Sequence, residues 1–276
     1  MEKSGNVIPG VNAENYSTEK TNAIYGSFDI NNFREQRVKN KTTLQKEFSS
    51  DRIKTQFIDL TLFKSEDVKI CGYLDSFYEA PLLFANPSDD IFAEGTDILF
   101  NTIIKFFELN KNIQMILCIK DGLKNNYIKQ CVDFLSQNSA LNGRWVFIDG
   151  EIHLPKFLAG SNMYLAPSRL NSICAKHLLA MHYGCVPVVS KTGYLNDTVT
   201  DIFESVTKGN GFKTSVSLMT EDSNSEIYYK TLSKAVDVYK NNHSSWHHIV
   251  KNSMNSNFNW DFKKLERYNK VYQEIL

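Results

Sequence analysis

Residues 166–199, APSRLNSICAKHLLAMHYGCVPVVSKTGYLNDTV, read as strand, loop, helix, strand and loop. Val186, Pro187, Val188 and Val189 form a short apolar run of the kind that makes a fully buried strand. The helix before it stops at Gly184, a residue suited to the left-handed position that ends helices. Thr192-Gly193 then opens a loop at the strand's carboxyl end, where open parallel sheets hold their ligands.

The same alternation extends outward. Strand-like runs are expected at residues 82–86, 113–120, 144–149, 163–168, 186–191 and, more weakly, 211–214. Between them lie helical patterns at 96–110, 127–138, 155–161 and 174–183, with Pro155 placed for a first helical turn. In the first of these, Ile98, Leu99, Thr102, Ile103, Phe106 and Phe107 share one face. Regular alternation predicts βαβ units and a Rossmann-like, doubly wound parallel sheet, an α/β fold. After about residue 225 the pattern turns to helices alone: 226–241, 244–255 with a serine cap, and 260–276. The stripe expected on the first of these is Tyr229, Leu232, Ala235, Val236 and Tyr239. Residues 6–17 read as extended, 39–48 as a short helix and 220–225 as a surface loop. The predicted organisation is a lead-in and crossover (1–50), a nucleotide-sugar-type domain (51–224) and C-terminal helices packed on it (225–276).

Bulk composition excludes several classes. Lys+Arg and Asp+Glu are 31 each in 276 residues, which argues against a nucleic-acid binder relying on a broad positive field. The chain is 42% hydrophobic and 22% charged, ordinary for a soluble globular protein. No apolar run approaches the ~18–20 residues that span a bilayer, and the start Met1-Glu-Lys-Ser-Gly is no secretory signal, so a cytoplasmic protein is expected. Five cysteines (Cys71, Cys118, Cys131, Cys174, Cys185) form no C-x-x-C pair and read as reduced thiols. His243 and His247 are spaced like a metal pair but lack an acidic or thiol partner nearby, so a polar helix face is expected, with no metal and no cofactor. Asp197 and Asp201 read as carboxylates flanking a helix start.

Several strings carry a resemblance. Residues 7–16, VIPGVNAENY, are similar to V-x-N-G-I/V-D-x-x-x-W/Y, and residues 40–46, NKTTLQK, to N-K-x-x-L-Q. Residues 159–163 and 166–169, AGSNM and APSR, match A-G-A/S-D-x and P-S-R. Residues 179–198 are similar to L-x-A-M-x-Y-G-x-x-P-V-V-x-x-T-G-G-L-x-D-T, residues 209–212 echo G-T-G-F, and 258–260 with Tyr268 and Tyr272 echo a closing F-S-W…Y…Y helix. In this order they resemble the C-terminal half of the bacterial glycogen synthases and plant starch synthases, glycosyltransferases of the GT-B architecture.

The resemblance implies two Rossmann-like domains facing across a cleft, with the acceptor glucan largely on an N-terminal domain that opens with K-x-G-G-L. This chain begins at the crossover into the second domain. A nucleotide-sugar diphosphate needs cations and N–H donors around its oxygens. The family supplies Arg and Lys in S-R-L-x-x-Q-K-G-x-D. Anchoring on Gly95 and Asp97 places Asp89 at the Arg position and Glu94 at the Lys position, and no Arg or Lys lies between Leu82 and Thr102. Losing two charge-assisted contacts costs about 3–6 kcal/mol, two to four decades in affinity. In the family's S-R-F-E-P-C-G-L, Ser168, Arg169 and Leu170 persist, while Asn171 replaces Glu and Cys174 replaces the Gly that lets a ligand approach. Lys176 and His177 are the surrogate phosphate cations, although a solvated-face lysine is the plainer account. Thr192-Gly193 survives, and Tyr194 replaces the family's second Gly, either filling the pocket or stacking on a base.

The leading expectation is a glycogen/starch-synthase-like domain that keeps its fold and has lost most donor-site chemistry: a pseudoenzyme acting as scaffold, regulatory partner or vestigial fragment. The alternative is the donor-binding half of a split or truncated ADP-glucose- or UDP-glucose-dependent α-1,4-glucosyltransferase, whose other half is a separate chain. A third reading gives the stripe of 260–276 a docking role, toward another protein or a second copy. Nucleic acid and membrane are not expected partners.

Overall fold

The run Leu82–Ala85 (β2) is buried at every residue and stands at the centre of the sheet. The structure is a computed structural model that describes residues 18, 24–65, 67–76, 79–88, 90–109, 112–170, 175–215, 221–256, 266 and 273. Ahead of β2 come α1 (Phe33–Glu47), α2 (Ser50–Thr55) and β1 (Lys69–Leu74). After it follow α3 (Ile91–Glu94), α4 (Thr96–Leu109), β3 (Gln114–Cys118), α5 (Asn126–Gln137), β4 (Arg144–Asp149), α6 (Leu154–Gly160) and β5 (Met163–Ala166). The chain continues through α7 (Lys176–His182), β6 (Val186–Ser190), α8 (Gly193–Thr198), β7 (Phe212–Thr214), α9 (Glu221–Asn241) and α10 (His243–Asn255).

The described strands form one sheet in the order β1-β4-β3-β2-β5-β6-β7. β2 through β7 pair in parallel, and β1 runs antiparallel to β4 at the edge. From β2 the chain winds one way through β3 and β4, then returns to β5 on the other side and continues to β6 and β7. This is the doubly wound order, and the reversal falls between β2 and β5. Leu83 of β2 pairs with Met115 on one side and Met163 on the other, with β3 starting one residue earlier, opposite Leu82. The strands are apolar on both faces because helices cover both.

The six expected strands are present. β1 escapes sequence reading because Gly72 interrupts it. Gly72 has φ +78°, and a Cβ there would stand 2.4 Å from the Trp145 carbonyl oxygen, so the strand carries no alternating side-chain pattern at its middle. The expected face of α4 is buried as read, with Phe100 added. The stripe of α9 is centred differently. Leu232, Ala235 and Val236 are buried, but Tyr228 is the aromatic at full depth, donating its hydroxyl to the Val188 carbonyl at 2.7 Å, while Tyr229 and Tyr239 are half-buried.

Other boundaries shift for identifiable reasons. α1 starts at Phe33 rather than residue 39, because buried Phe33 and Arg37 give its first turns tertiary cover despite weak amphipathicity. α10 is capped by Asn242, whose side chain accepts from the Ser245 N–H, and not by a serine. Residues 221–225 belong to α9 and are not a loop: Asn224 is buried, and the Ser225 carbonyl accepts from Thr102 of α4. The extended reading of 6–17 and nearly all of the helix at 260–276 lie outside the described residues.

The polar residues in the 40–46 string fasten the lead-in to the sheet. Asn40 accepts from the N–H groups of Tyr25 and Gly26 and donates to the carbonyls of Gly26 and Gln36. Gln45 donates to Gln114, which in turn donates to the Asp75 and Gly143 carbonyls. Lys156 of α6 reaches Asp59 at 2.5 Å and lies over the Tyr25 ring. Packing of α4 on α9, α1 on α6, and α10 on α7 and α9 completes one apolar core that runs from Ile24 to Val250.

Candidate functional site

The reversal between β2 and β5 leaves a crevice at the carboxyl ends of these strands, bordered by the loop after β2 and the loop after β5. The two loops are locked together by backbone and side chain. The N–H groups of Arg169 and Leu170 both donate to the Ala93 carbonyl, at 3.0 and 3.2 Å. Gly95 ends α3 with φ +65°, and a Cβ there would stand 2.1 Å from the Pro167 carbonyl oxygen, so only glycine lets the loops approach. Asp90 caps α3 by accepting from the Ala93 N–H at 2.9 Å.

Arg169 is the fastener beneath this contact. Its guanidinium donates to both carboxylate oxygens of Asp97, at 2.6 and 2.5 Å, and to the Phe92 carbonyl at 3.1 Å, while stacking over the Phe92 ring. Its side chain is 1% exposed. A planar fork matched to a carboxylate in this way is a structural pair, with its charge already balanced. Asp97, used in the sequence only as an anchor, is therefore the partner that sequence reasoning missed. Arg and Asp are far apart in sequence, and only the loop closure brings them together.

Glu94 sits half-buried at the end of α3, and the Ser168 hydroxyl donates to its carboxylate at 3.4 Å. A carboxylate thus borders the crevice at the position the resemblance assigns to a lysine. Lys176 opens α7, and its ammonium donates to the Asn86 carbonyl at 2.7 Å, directly beyond the end of β2. Asn86 in turn donates to the Cys118 carbonyl at the end of β3. Lys176 is half-buried over the carboxyl edge of the sheet, which corrects the reading of a solvated-face lysine. Burial pushes the Cys118 thiol up, with Lys176 pulling the other way.

His177 turns away from the crevice, which corrects its reading as a phosphate cation. It is 1% exposed, and its Nε2 lies 2.7 Å from the Thr198 hydroxyl, which itself donates to the Tyr194 carbonyl. A hydroxyl with its one proton so engaged accepts here, so Nε2 carries the proton. Tyr194 is buried against the His177 ring edge within a small apolar cluster with Leu178, Met181, Val189, Leu195 and Val199. Thr192 donates to the Ser168 carbonyl at 3.2 Å and ties the loop after β6 to the loop after β5. Gly193 is exposed and is already the first residue of α8, so the expected loop is a helix start. Asp201 lies past α8 and not at a helix start. Its carboxylate accepts from the Phe203 and Lys213 N–H groups and anchors β7. Asp89, Asn171 and Cys174 lie outside the described residues.

Among the described residues no group of three or more His, Cys, Asp or Glu side chains could hold a metal, and no helix is long and apolar enough to cross a membrane. Cys71, Cys118, Cys131 and Cys185 are free thiols.

No family model matches the chain. Its sequence is similar to the glycogen synthases of Thermosipho africanus (26% identical over 275 residues, covering 98% of this chain and 48% of the relative) and Hydrogenobaculum sp. (26% over 271 residues, 97% and 48%). The glycogen synthase of Clostridium novyi is 27% identical over 275 residues, covering 98% and 48%. Among solved structures, the catalytic domain of starch synthase IV from Arabidopsis thaliana, bound to ADP and acarbose, aligns with TM-score 0.71 at 20% identity, over 96% of this chain and 48% of that one. HepE of Anabaena, in complex with UDP and glucose, aligns with TM-score 0.53 at 14% identity, over 91% and 55%. The chain spans about half the length of the curated relatives it matches.

A doubly wound sheet with its crevice at the β2–β5 reversal makes this a Rossmann-like half of a GT-B glycosyltransferase fold. Within that class the chain is similar, over nearly its whole length, to the C-terminal half of the glycogen and starch synthases.

Proposed function

We propose that this chain carries the nucleotide-sugar crevice of an α-glucan synthase in weakened form, and that it serves glucan synthesis in the cytoplasm as a scaffold or regulatory domain. The observation that carries this reading is the charge inventory at the crevice. Arg169 is balanced by Asp97, and a carboxylate, Glu94, stands where the resemblance calls for a lysine. A pyrophosphate entering the crevice would meet Lys176 as its nearby cation and Glu94 as a like charge. ADP and UDP, the nucleotides bound in two of the structures it resembles, are the ligands this crevice would have accommodated.

Lys176 favours a second reading. An ammonium held at the β2 edge of the switch point is well placed for one phosphate, which suits the donor-binding half of a split ADP-glucose- or UDP-glucose-dependent glucosyltransferase. Turnover would then need the acceptor half from another chain, because GT-B chemistry occurs between the two domains.

Thermal unfolding with millimolar ADP-glucose or UDP-glucose separates the readings. The scaffold reading expects no rise in melting temperature. A rise that disappears in Lys176→Ala would replace it with the donor-binding reading.

A further inference from the structure

A second cavity, of about 660 Å³, opens at the opposite edge of the sheet. Ala80, Ile113 and Asn162, each just ahead of β2, β3 or β5, form its floor, and α1, α9 and α10 form its walls. This volume suits a small organic ligand.

The walls are strongly cationic. Arg34, Arg37 and Lys41 are spaced three and four apart on α1, so they share one face of that helix. α9 adds Lys240, and α10 adds His243 and His247, spaced to share a face. Glu79 is the one carboxylate among the described lining residues. Two of the cations are deeply placed. The terminal nitrogens of buried Arg37 donate to the Tyr183 and Ser161 carbonyls, neutral acceptors that leave its charge uncompensated. Lys41 donates to the Ala80 carbonyl at 2.5 Å and to the Tyr239 hydroxyl at 3.2 Å.

The titrating groups respond to this crowding. Burial, reinforced by Arg37, pushes Lys41 down to about 7. Burial lowers His247, helped by Arg34 and His243, and burial lowers Lys240, helped by Arg144 beneath it. Burial raises Tyr239 against the pull of Arg37. Like charges oppose one another from three helices, and an anion in the cavity would relieve them all.

We propose that this cavity is a binding site for a small phosphate monoester. A dianion matches the arginine fork and the neighbouring ammonium groups. Phe33, Tyr239 and Trp246 offer an apolar wall for the body of the ester. The site is independent of the β2–β5 crevice, which lies at the other ends of the strands.

The test is calorimetric titration of the chain at low ionic strength with phenyl phosphate and with inorganic phosphate. Saturable binding is expected, tighter for phenyl phosphate. An anion raises Lys41 and His247 toward their charged forms, so protons are taken up at pH 7.5, visible as a dependence of the heat on buffer ionisation enthalpy. Arg34→Ala and Lys240→Ala, both at the rim, should each weaken binding by about fivefold or more. Heats that do not saturate, or binding lost in Lys176→Ala and kept in Arg34→Ala, would overturn the proposal.

Discussion

Arg169 and Asp97 face each other through two parallel hydrogen bonds, 2.6 and 2.5 Å long, and thereby join the loop after β5 to the first turn of α4. The arginine that looks most like a ligand-binding cation in the sequence is thus part of the scaffold that shapes the crevice. Removing one partner of a buried pair is more damaging than removing both, because the remaining charge is stranded. Asp97→Asn is expected to destabilise the chain by about 3 kcal/mol, since it strands a guanidinium that is almost wholly buried. Arg169→Met with Asp97→Leu should cost less than Asp97→Asn alone. Denaturant unfolding of the variants checks the order, and equal losses would refute it.

Gly95→Ala tests the loop contact separately. The new Cβ meets the Pro167 carbonyl oxygen at 2.1 Å on a residue with φ +65°, and backbone atoms on both sides cannot turn aside. A loss of about 2–4 kcal/mol is expected, more than the ~1 kcal/mol of left-handed strain alone. A melting temperature close to the parent's would show that the two loops are not held together as described.

Lys41 makes a pH-dependent contribution. Burial and Arg37 hold it at about 7 in the folded chain, well below an ordinary lysine. Between that value and the unfolded value the unfolded chain binds the extra proton, so stability rises with pH across this window. Below about 7 the folded state carries the full cost of the buried charge. The stability difference between the parent and Lys41→Met should therefore shift in the parent's favour from pH 6.5 to pH 9.5, by several kcal/mol at most. Denaturant unfolding at a series of pH values measures it, and a flat difference would contradict the assignment. Comparing with the variant removes the opposing effect of the thiols, whose burial raises them and makes alkaline pH unfavourable to the fold.

Much of the fold was legible because buried parallel strands are unbroken apolar runs, as in Leu82–Ala85 and Val186–Ser190, and α4 displays its face at helical spacing. β1 was not, since Gly72 erases its pattern, and α1 was misplaced because tertiary cover and not amphipathicity sets its start. At the crevice, the presence of Glu94 and Lys176 could be read from residue type. The pairing of Arg169 with Asp97 and the burial of His177 beside Thr198 depend on loop geometry that local spacing does not encode. The basic cavity was hidden likewise: its cations sit on three helices distant in the chain, and local spacing picked out only His243 and His247, as a polar helix face.

The most direct test of the weakened crevice is a calorimetric titration of the parent and Glu94→Lys with ADP-glucose and UDP-glucose. With a carboxylate at residue 94, the parent should show no saturation up to about 1 mM, and restoring a cation should strengthen binding by about tenfold or more. A parent that binds either nucleotide sugar at micromolar concentration, with Glu94→Lys making no difference, would contradict the account.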